Sequence, residues 1–242
     1  RLMKINKISI IGVGYVGLPI VNRLALNGDL QVTGFDISEI RINELNKGID
    51  KNKEINLQNL QDNKNVTFSN KKSAINSSDV YIVTVPTPID FSNKPDLNPL
   101  YEAADIIAES IISNKKKKNI TIVLESTVYP GVTEELFKPR IINHLGNYDC
   151  SHANISFGYS PERVSPGRNA KKINEITKII SADSENTLRV LKYIYKDLIG
   201  CKIYEAQSIK VAEAAKVVEN TQRDLNIALV NECVHIFSKM GI

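Results

Sequence analysis

The chain has 242 residues, of which 42% are hydrophobic and 24% charged, and its formal net charge is +4. A chain of this length can bury a large core without disulfide bonds, and its composition is typical of a globular protein rather than a disordered segment. The three cysteines are odd in number and show neither CxxC nor Cys/His metal spacing. This pattern indicates a reducing cytoplasm and argues against a disulfide framework or a bound metal.

The sequence gives little support for nucleic acid or a membrane as a partner. Four lysines at 115–118 lie between an apolar helix pattern and an apolar strand pattern, where a solvated loop is more frequent than a nucleic-acid patch. No aromatic stacking platform accompanies them. The apolar stretch 8–21 is interrupted by glycines and a proline and lacks a cleavage site, which argues against a signal peptide, and no segment reaches membrane-spanning length.

Strand patterns and helix patterns alternate along the chain. The predicted strands are 7–11, 31–36, 66–69, 80–85, 120–125, 154–160 and 176–181. The predicted helices are 15–27, 38–46, 98–113, 131–143 and 184–198. Several strands are continuous apolar runs, as expected where helices cover both faces of a sheet. The alternation predicts an α/β fold with a Rossmann-like, doubly wound parallel sheet, and the polar segment 51–65 is interpreted as a surface excursion.

The last part of the chain has a different pattern, because apolar residues recur near helical spacing from about 208 to 240. A helix of that span is on the order of 50 Å long at 1.5 Å per residue. It outruns the preceding domain, so we expect its second half to pack against another domain or another subunit. The predicted division is a Rossmann-like domain at 1–205 and a long central helix at 206–242, which begins a further domain.

A glycine-rich turn follows the first predicted strand and opens the first predicted helix. Residues 12–17 read GVGYVG, which fits G-x-G-x-x-G. The first glycine of this motif permits the tight turn, the second lets backbone amides approach a pyrophosphate, and the third lets helix and strand pack closely. A purely structural turn is the alternative, but the flanking strand and helix favour a dinucleotide bound at the helix N-terminus.

The second predicted strand ends at Asp36, where the dinucleotide motif has its acidic residue. A carboxylate there can accept hydrogen bonds from both adenine-ribose hydroxyls and would repel a 2′-phosphate, so we expect NAD rather than NADP. Arg41 could weaken this preference, although a solvated arginine is the alternative. The fourth strand exits into 84–88 (TVPTP), at the carboxyl edge where ligands of open α/β sheets bind.

Several further motifs follow in one order: 12–19 (GVGYVGLP), 85–88 (VPTP), 125–131 (ESTVYPG), 159–167 (YSPERVSPG) and 216–228 (KVVENTQRDLNIA). Together they resemble the UDP-glucose/GDP-mannose dehydrogenase family over nearly the whole chain. The resemblance implies NAD-dependent oxidation of the C6 alcohol of a nucleotide sugar to an acid by two hydride transfers. It also implies a homodimer formed through the long helix, and a second Rossmann-like domain for the uridine nucleotide that we expect outside this stretch. The implied cofactor contacts are Gly12, Gly14, Tyr15, Val16, Gly17, Asp36, Arg41, Pro86, Thr87 and Thr127.

The resemblance assigns catalysis to four residues. Lys216 and Asn220 are spaced i, i+4 on one helix face, so a cation and an amide donor can converge on an oxygen that becomes negative. Glu162 follows a predicted strand, where a carboxylate can act on water, and Thr127 could help to hold that water. Without the resemblance, each of the four is more simply explained as an ordinary surface polar residue.

The segment after Glu162 bears on the substrate. Residues 163–167 read RVSPG, which resembles the branch acting on UDP-N-acetylglucosamine or its epimers, whereas the UDP-glucose branch usually has an aromatic-leucine pair there. The implied substrate is a UDP-N-acetylhexosamine used for surface polysaccharide precursors. Its implied contacts are Glu162, Arg163, Val164, Lys216, Asn220 and Arg223.

One element of the family pattern is missing. The family's nucleophile is a cysteine in a glycine-rich segment beyond the lysine helix, and none of Cys150, Cys201 and Cys233 has that setting. Cys233 lies on the long helix and is interpreted as a packing residue, so we expect this stretch alone to be inactive. Two other functions stay open. A β-hydroxyacid dehydrogenase shares the dinucleotide turn, the long helix and a lysine near an asparagine, and a non-catalytic NAD-binding module could dimerise through the helix.

Overall fold

The computed structural model describes residues 4–52, 55, 57, 60, 62–114, 118–150, 153–162 and 173–242. The strands are β1 (Lys7–Ile11), β2 (Gln31–Phe35), β3 (Val66–Ser69), β4 (Val80–Val83), β5 (Lys118–Leu124), β6 (Ala153–Tyr159), β7 (Thr177–Ala182) and β8 (Lys202–Glu205). The helices are α1 (Gly17–Leu24), α2 (Glu39–Asn46), α3 (Asn98–Ser113), α4 (Lys138–Gly146), α5 (Glu185–Lys192) and α6 (Ile209–Met240). A π-helical segment, Val132–Phe137, leads into α4, and another, Tyr193–Leu198, continues α5.

The strands form a sheet in the order β3-β2-β1-β4-β5-β6-β7-β8. Neighbours from β3 to β6 are parallel. The chain moves outward from β1 to β3 on one side and from β4 to β6 on the other, so the direction of winding reverses between β1 and β4. Ligands of open α/β sheets bind at such a reversal, outside the carboxyl ends of the strands. The predicted α/β class and doubly wound parallel sheet are confirmed.

Both faces of the sheet are covered, which explains the continuous apolar runs of the strands. Alternate residues of β4 point into different layers: Val80 and Ile82 pack with α1, α2 and α5, whereas Tyr81 and Val83 pack with α3 and α4. Because successive side chains of a strand point to opposite faces, a strand buried on both sides must be apolar throughout. The strand exits at the carboxyl edge are therefore where polar chemistry can collect.

The far edge of the sheet differs from the sequence prediction. β7 was predicted as a further strand, but it pairs antiparallel to β6, with Gly158 opposite Ala182. β8 was not predicted, and it pairs parallel to β7. Three of its four residues are exposed and the fourth is half-buried. A strand with no buried face has no alternation of apolar and polar residues by which the sequence could reveal it. The segment 51–65 was predicted to be a surface excursion. Two of its residues, Leu57 and Leu60, are instead buried in the core.

The long helix begins as predicted. Ser208 caps α6 by accepting a hydrogen bond from the amide of Val211 at 3.2 Å, and the first two turns bury Ile209 and Ala212 against the sheet. Beyond Lys216 its apolar side chains are exposed. These are Val217, Val218, Leu225, Ile227, Leu229, Val230, Val234, Ile236, Phe237 and Met240. The division of the chain at 205 and 206 stays a prediction. Within the described residues, no helix is apolar over a stretch long enough to cross a membrane.

Candidate functional site

A cleft of about 1000 Å³ opens at the carboxyl edge of the sheet, where the winding reverses. Its floor is formed by the turn after β1 and by the exits of β4 and β5. Asp36 lines one part of it, and Glu162 and Asn220 line another. The cleft therefore joins the predicted dinucleotide turn to two predicted catalytic residues, Glu162 and Asn220 of α6.

The three glycines of the turn have different structural roles. Gly12 has a φ of 96°, a left-handed conformation that favours glycine. At Gly17 an added Cβ would lie 2.0 Å from the Gly12 carbonyl oxygen and 2.6 Å from Oγ1 of Thr84, so only glycine permits this packing of α1 against the strands. At Gly14 an added Cβ would meet nothing within 4 Å. Gly14 thus presents bare backbone to the cleft, as close approach of a pyrophosphate requires.

The Asp36 carboxylate is fixed by two backbone amides. Its Oδ2 accepts from the amide of Val13 at 3.0 Å and its Oδ1 from the amide of Ser38 at 2.9 Å. Each carboxylate oxygen can accept more than one hydrogen bond, so ribose hydroxyls can add to these contacts. Asp36 lines the cleft and is oriented before a ligand arrives.

Arg41 supports the turn from outside the cleft. Its Nε donates to the Val13 carbonyl oxygen at 3.0 Å, and its Nη1 donates to Oδ1 of Asp50 at 3.0 Å. Arg41 is not among the residues that line the cleft. The structure therefore gives it a backbone-supporting position, and the predicted cofactor contact of Arg41 receives no support from the geometry.

Hydroxyl groups tie the strand exits together. Oγ1 of Thr84 donates to the Gly12 carbonyl oxygen at 2.6 Å, and Oγ of Ser126 donates to the Val85 carbonyl oxygen at 2.6 Å. Oγ1 of Thr87 donates to the Thr127 carbonyl oxygen at 2.7 Å. Hydrogen bonds thus connect the ends of β1, β4 and β5 at the floor of the cleft. The predicted cofactor contacts that line it are Gly12, Gly14, Tyr15, Val16, Asp36, Pro86, Thr87 and Thr127.

Glu162 lines the cleft and is paired with Lys216, which lies behind it and is not itself among the lining residues. Nζ of Lys216 lies 3.0 Å from Oε1 of Glu162, and their side chains are only 5% and 14% exposed. The same ammonium donates to the Glu162 carbonyl oxygen at 2.7 Å. Asn220 follows one turn later and lines the cleft together with Thr127. The four predicted catalytic residues are therefore gathered in one region.

Of the predicted substrate contacts, Glu162 and Asn220 line the cleft, whereas Arg223 does not. Arg223 lies one further turn along α6, where its Nη2 pairs with Oε1 of Glu219 at 2.9 Å and its side chain is exposed. It is not among the residues lining the cleft. Arg163 and Val164 lie outside the described residues, so their predicted contacts are not addressed by the geometry.

Glu213 is a site residue that the sequence prediction missed. It is fully buried, and its carboxylate accepts from the amides of Gly131 and Thr133 at 2.6 and 2.9 Å, and from Oγ1 of Thr133 at 2.6 Å. A carboxylate at the N-terminus of a helical segment is electrostatically favourable. This contact fixes the rotation of α6 and hence the direction of Lys216, three residues on. A glutamate on the buried face of a helix, among Ile209 and Ala212, was the signal that could have revealed it.

Neither Cys150 nor Cys201 offers an activated thiolate. Burial raises the pKa of Cys201 to about 11, and burial also raises the pKa of Cys150. Thiols of raised pKa stay protonated and react slowly. Cys233 lies in the second half of α6. Among the described residues, no group of three His, Cys, Asp or Glu side chains is placed to hold a metal ion.

Comparison with known proteins identifies sequences and structures that are similar to this chain. Residues 6–199 match the sequence model described as UDP-glucose/GDP-mannose dehydrogenase family, NAD binding domain. The NAD cofactor expected from Asp36 and the glycine turn agrees with that description. A curated relative, the UDP-N-acetyl-D-glucosamine 6-dehydrogenase of Pseudomonas aeruginosa, is 41% identical over 242 residues, which cover 99% of this chain and 55% of that enzyme. The chain thus spans about half the length of this relative.

Solved structures agree with the fold. The UDP-D-ManNAc dehydrogenase from Pyrococcus horikoshii superposes with a TM-score of 0.84 at 29% identity, over 98% of this chain and 55% of that one. A 3-hydroxyisobutyrate dehydrogenase from Mycobacterium tuberculosis superposes with a TM-score of 0.64 at 18% identity, over 98% of this chain and 67% of that one. The second likeness shows the fold alone.

Proposed function

Because the chain belongs to the UDP-glucose/GDP-mannose dehydrogenase family, we propose that it supplies the NAD-binding part of an enzyme that oxidises C6 of a UDP-N-acetylhexosamine to the carboxylic acid. The family expected from the sequence motifs is confirmed by the matched residues 6–199. Since the chain spans about half of such a relative, the proposal concerns the full-length gene product. One observation carries it: Glu162, which forms an ion pair with Lys216, lines the same cleft as Asp36 and Asn220.

The cleft suits NAD in volume and charge. Its volume of about 1000 Å³ is at the upper end of the usual range for ligand sites, as an extended dinucleotide requires. Gly14 leaves its backbone open to phosphates at the start of α1. The Asp36 carboxylate suits two ribose hydroxyls and opposes a 2′-phosphate. Held by the glycine turn and Asp36, NAD would supply the acceptor for the hydride that leaves C6.

The residues of the chain itself handle charge and protons at C6. The first oxidation removes a hydride from C6 and releases the proton of its hydroxyl to solvent water, and the second requires a water oxygen to be added before another hydride leaves. The Lys216 ammonium and the Asn220 amide are the donors for the oxygen that becomes negative. Two of the three ammonium donors are directed at Glu162, so the third is assigned to the substrate oxygen. Glu162 is the base for the water and Thr127 its further support.

The complete reaction needs a nucleophile that we assign to a cysteine outside these 242 residues. The support is that Cys201 and Cys150 have raised pKa values, and that Cys233 lies in the second half of α6. We also infer a cytoplasmic enzyme that makes precursors of surface polysaccharides and forms a homodimer through α6. The exposed apolar side chains of that helix, among them Leu225 and Leu229, support the dimer.

A direct assay tests the proposed function. The full-length gene product is incubated with NAD and a panel of UDP- and GDP-sugars, and reduced nicotinamide is followed by absorbance. We expect turnover with a UDP-N-acetylhexosamine and two NAD reduced per sugar. Small β-hydroxyacids belong in the same panel, because Lys216 and Asn220 on a long helix suit that chemistry as well. Turnover of a hydroxyacid alone would favour the β-hydroxyacid dehydrogenase, and saturable NAD binding with no turnover of any substrate would favour a non-catalytic module.

A further inference from the structure

Three polar side chains form a buried cluster at the cleft, and one of them, Glu125, is among the residues that line it. Glu125 follows β5, Lys178 lies in β7, and Tyr195 lies in the segment that continues α5, and all three are buried. Nζ of Lys178 lies 2.5 Å from Oε2 of Glu125, and the hydroxyl of Tyr195 donates to Oε1 of Glu125 at 2.5 Å. Burial and the adjacent Glu125 carboxylate hold the pKa of Tyr195 well above 10, so the phenol keeps its proton.

The Lys178 ammonium also reaches the backbone that carries Glu162. It donates to the carbonyl oxygen of Pro161 at 3.2 Å and to that of Ser160 at 3.4 Å. With the Glu125 carboxylate, these acceptors use the three donors of an ammonium. The amide of Glu162 in turn donates to the Glu125 carbonyl oxygen at 3.3 Å. Glu125 and Lys178 therefore hold the two residues before Glu162 and the Glu162 amide itself.

Stability does not account for such a cluster. A buried ion pair is seldom better for stability than apolar side chains of similar volume, because both charges lose their hydration. A reactive side chain is, however, usually kept in its productive geometry by neighbouring groups that packing and hydrogen bonds hold in place. The cluster lies on the side of Glu162 that faces the sheet, whereas Lys216 of α6 binds Glu162 directly.

We propose that Lys178 is a positioning residue for Glu162: its ammonium, oriented by Glu125 and Tyr195, fixes the Ser160–Pro161 backbone and thereby the position of the Glu162 carboxylate. The inference rests on the proposed function, because it takes Glu162 as the base. Lys178 and Glu125 touch neither the substrate nor the reacting atoms in this proposal.

The variant that tests this carries Lys178→Met together with Glu125→Gln in the full-length gene product. Both charges are removed at once, so that no unpaired charge is left buried, and the new amide oxygen at 125 can still accept from Tyr195. The matched control is Asp79→Asn. Asp79 is also buried and accepts from the amides of Asn6 and Lys7, but it lies at the amino edge of β4, opposite the cleft.

The first measurement is amide hydrogen exchange, which requires no substrate. In the double variant we expect the Glu162 amide to exchange about tenfold faster relative to the amides of α3, because only the local support is lost. In Asp79→Asn the amides of Glu162 and α3 should change by the same factor. Equal changes in the double variant would overturn the inference, whether or not the enzyme is active.

The second measurement is steady-state kinetics. We expect kcat of the double variant to fall about 10- to 100-fold, while KM for NAD stays within about twofold because Asp36 and the glycine turn are unchanged. A merely structural role would lower the melting temperature and leave kcat per active site unchanged, which would also overturn the inference. If the wild-type enzyme oxidises no sugar nucleotide, the proposed function fails and hydrogen exchange alone decides the role of Lys178.

Discussion

The Lys216 ammonium lies 3.0 Å from Oε1 of Glu162 and binds the carbonyl oxygen of the same residue at 2.7 Å. This contact joins the long helix α6 to the end of β6, two elements that are 54 residues apart at this point. Both side chains are also largely shielded from water. Away from water, a cation interacts more strongly with developing negative charge. The pair is therefore the most direct target for mutation.

Replacing Lys216 by Met should lower kcat by about 100- to 1000-fold, because one preorganised donor to the C6 oxygen is lost. KM for NAD should change little. The matched control is Lys210→Met on the same helix, whose ammonium forms an exposed ion pair with Glu135 at 2.5 Å. Steady-state kinetics of the full-length enzyme measure both. A Lys216→Met enzyme with kcat within about threefold of wild type would remove Lys216 from the mechanism.

Substitutions at two glycines of the turn should separate folding from cofactor binding. Gly17→Ala should lower the melting temperature strongly, because its Cβ would lie 2.0 Å from the Gly12 carbonyl oxygen. Gly14→Ala should fold normally, since nothing lies within 4 Å, yet lose NAD binding because the new methyl group occupies the approach of the pyrophosphate. Thermal melting and calorimetry with NAD test both, with Gly28→Ala as the control. Tight NAD binding by Gly14→Ala would contradict the phosphate position.

Replacing Asp36 by Asn should raise the Kd for NAD at least about tenfold, since the charged acceptor for the ribose hydroxyls is lost. The preference for NAD over NADP should shrink at the same time, because the repulsion of a 2′-phosphate is removed. The thermal shift caused by each cofactor at equal concentration measures the preference. Asp29→Asn, at an exposed position outside the cleft, is the control. A wild-type chain protected more by NADP than by NAD would refute the role of Asp36.

Asp105 should make the stability of the chain depend on pH. Its pKa is lowered from 3.8, first by the hydrogen bonds from Arg140 and further by His144. A lowered folded-state pKa means that the carboxylate stabilises the fold above pH 3.8 and that this contribution is lost as the pH falls through the lowered value. Asp105→Asn should therefore melt below wild type near neutral pH, and the difference should shrink below pH 3.8. Asp197→Asn, which removes an exposed carboxylate, is the control.

The exposed half of α6 should govern assembly. Leu225 and Leu229 are 63% and 62% exposed and lie one turn apart. Replacing both by Lys should convert a dimer to a monomer, because charges would be buried in an apolar interface. Sedimentation of the full-length protein measures this, and Asn231→Lys on a different face of the helix is the control. A double variant that stays dimeric would place the interface elsewhere, and a monomeric wild type would refute the dimer.

Local features of the fold could be predicted because they depend on neighbours in the sequence. Ser38, Ser184 and Ser208 were predicted to begin helices, and each accepts a backbone amide at a helix N-terminus in the structure. The bounds of α3 were predicted as 98–113 and are confirmed, since its apolar residues recur at helical spacing. The glycine turn was equally clear, because its motif is set by the backbone conformation that a tight turn demands.

The sequence by itself thus determined the class of fold, the dinucleotide turn and the family, through patterns that are short in range. Only the tertiary structure decided which side chains meet across the chain. The antiparallel pairing of β7, the support of the Gly131 turn by Glu213, and the binding of Glu125 by Lys178 all join distant segments. Periodicity indicates which face of a helix or strand is buried, but it does not identify the group packed against that face. The partner of a buried charge depends on how the helices and the sheet pack together.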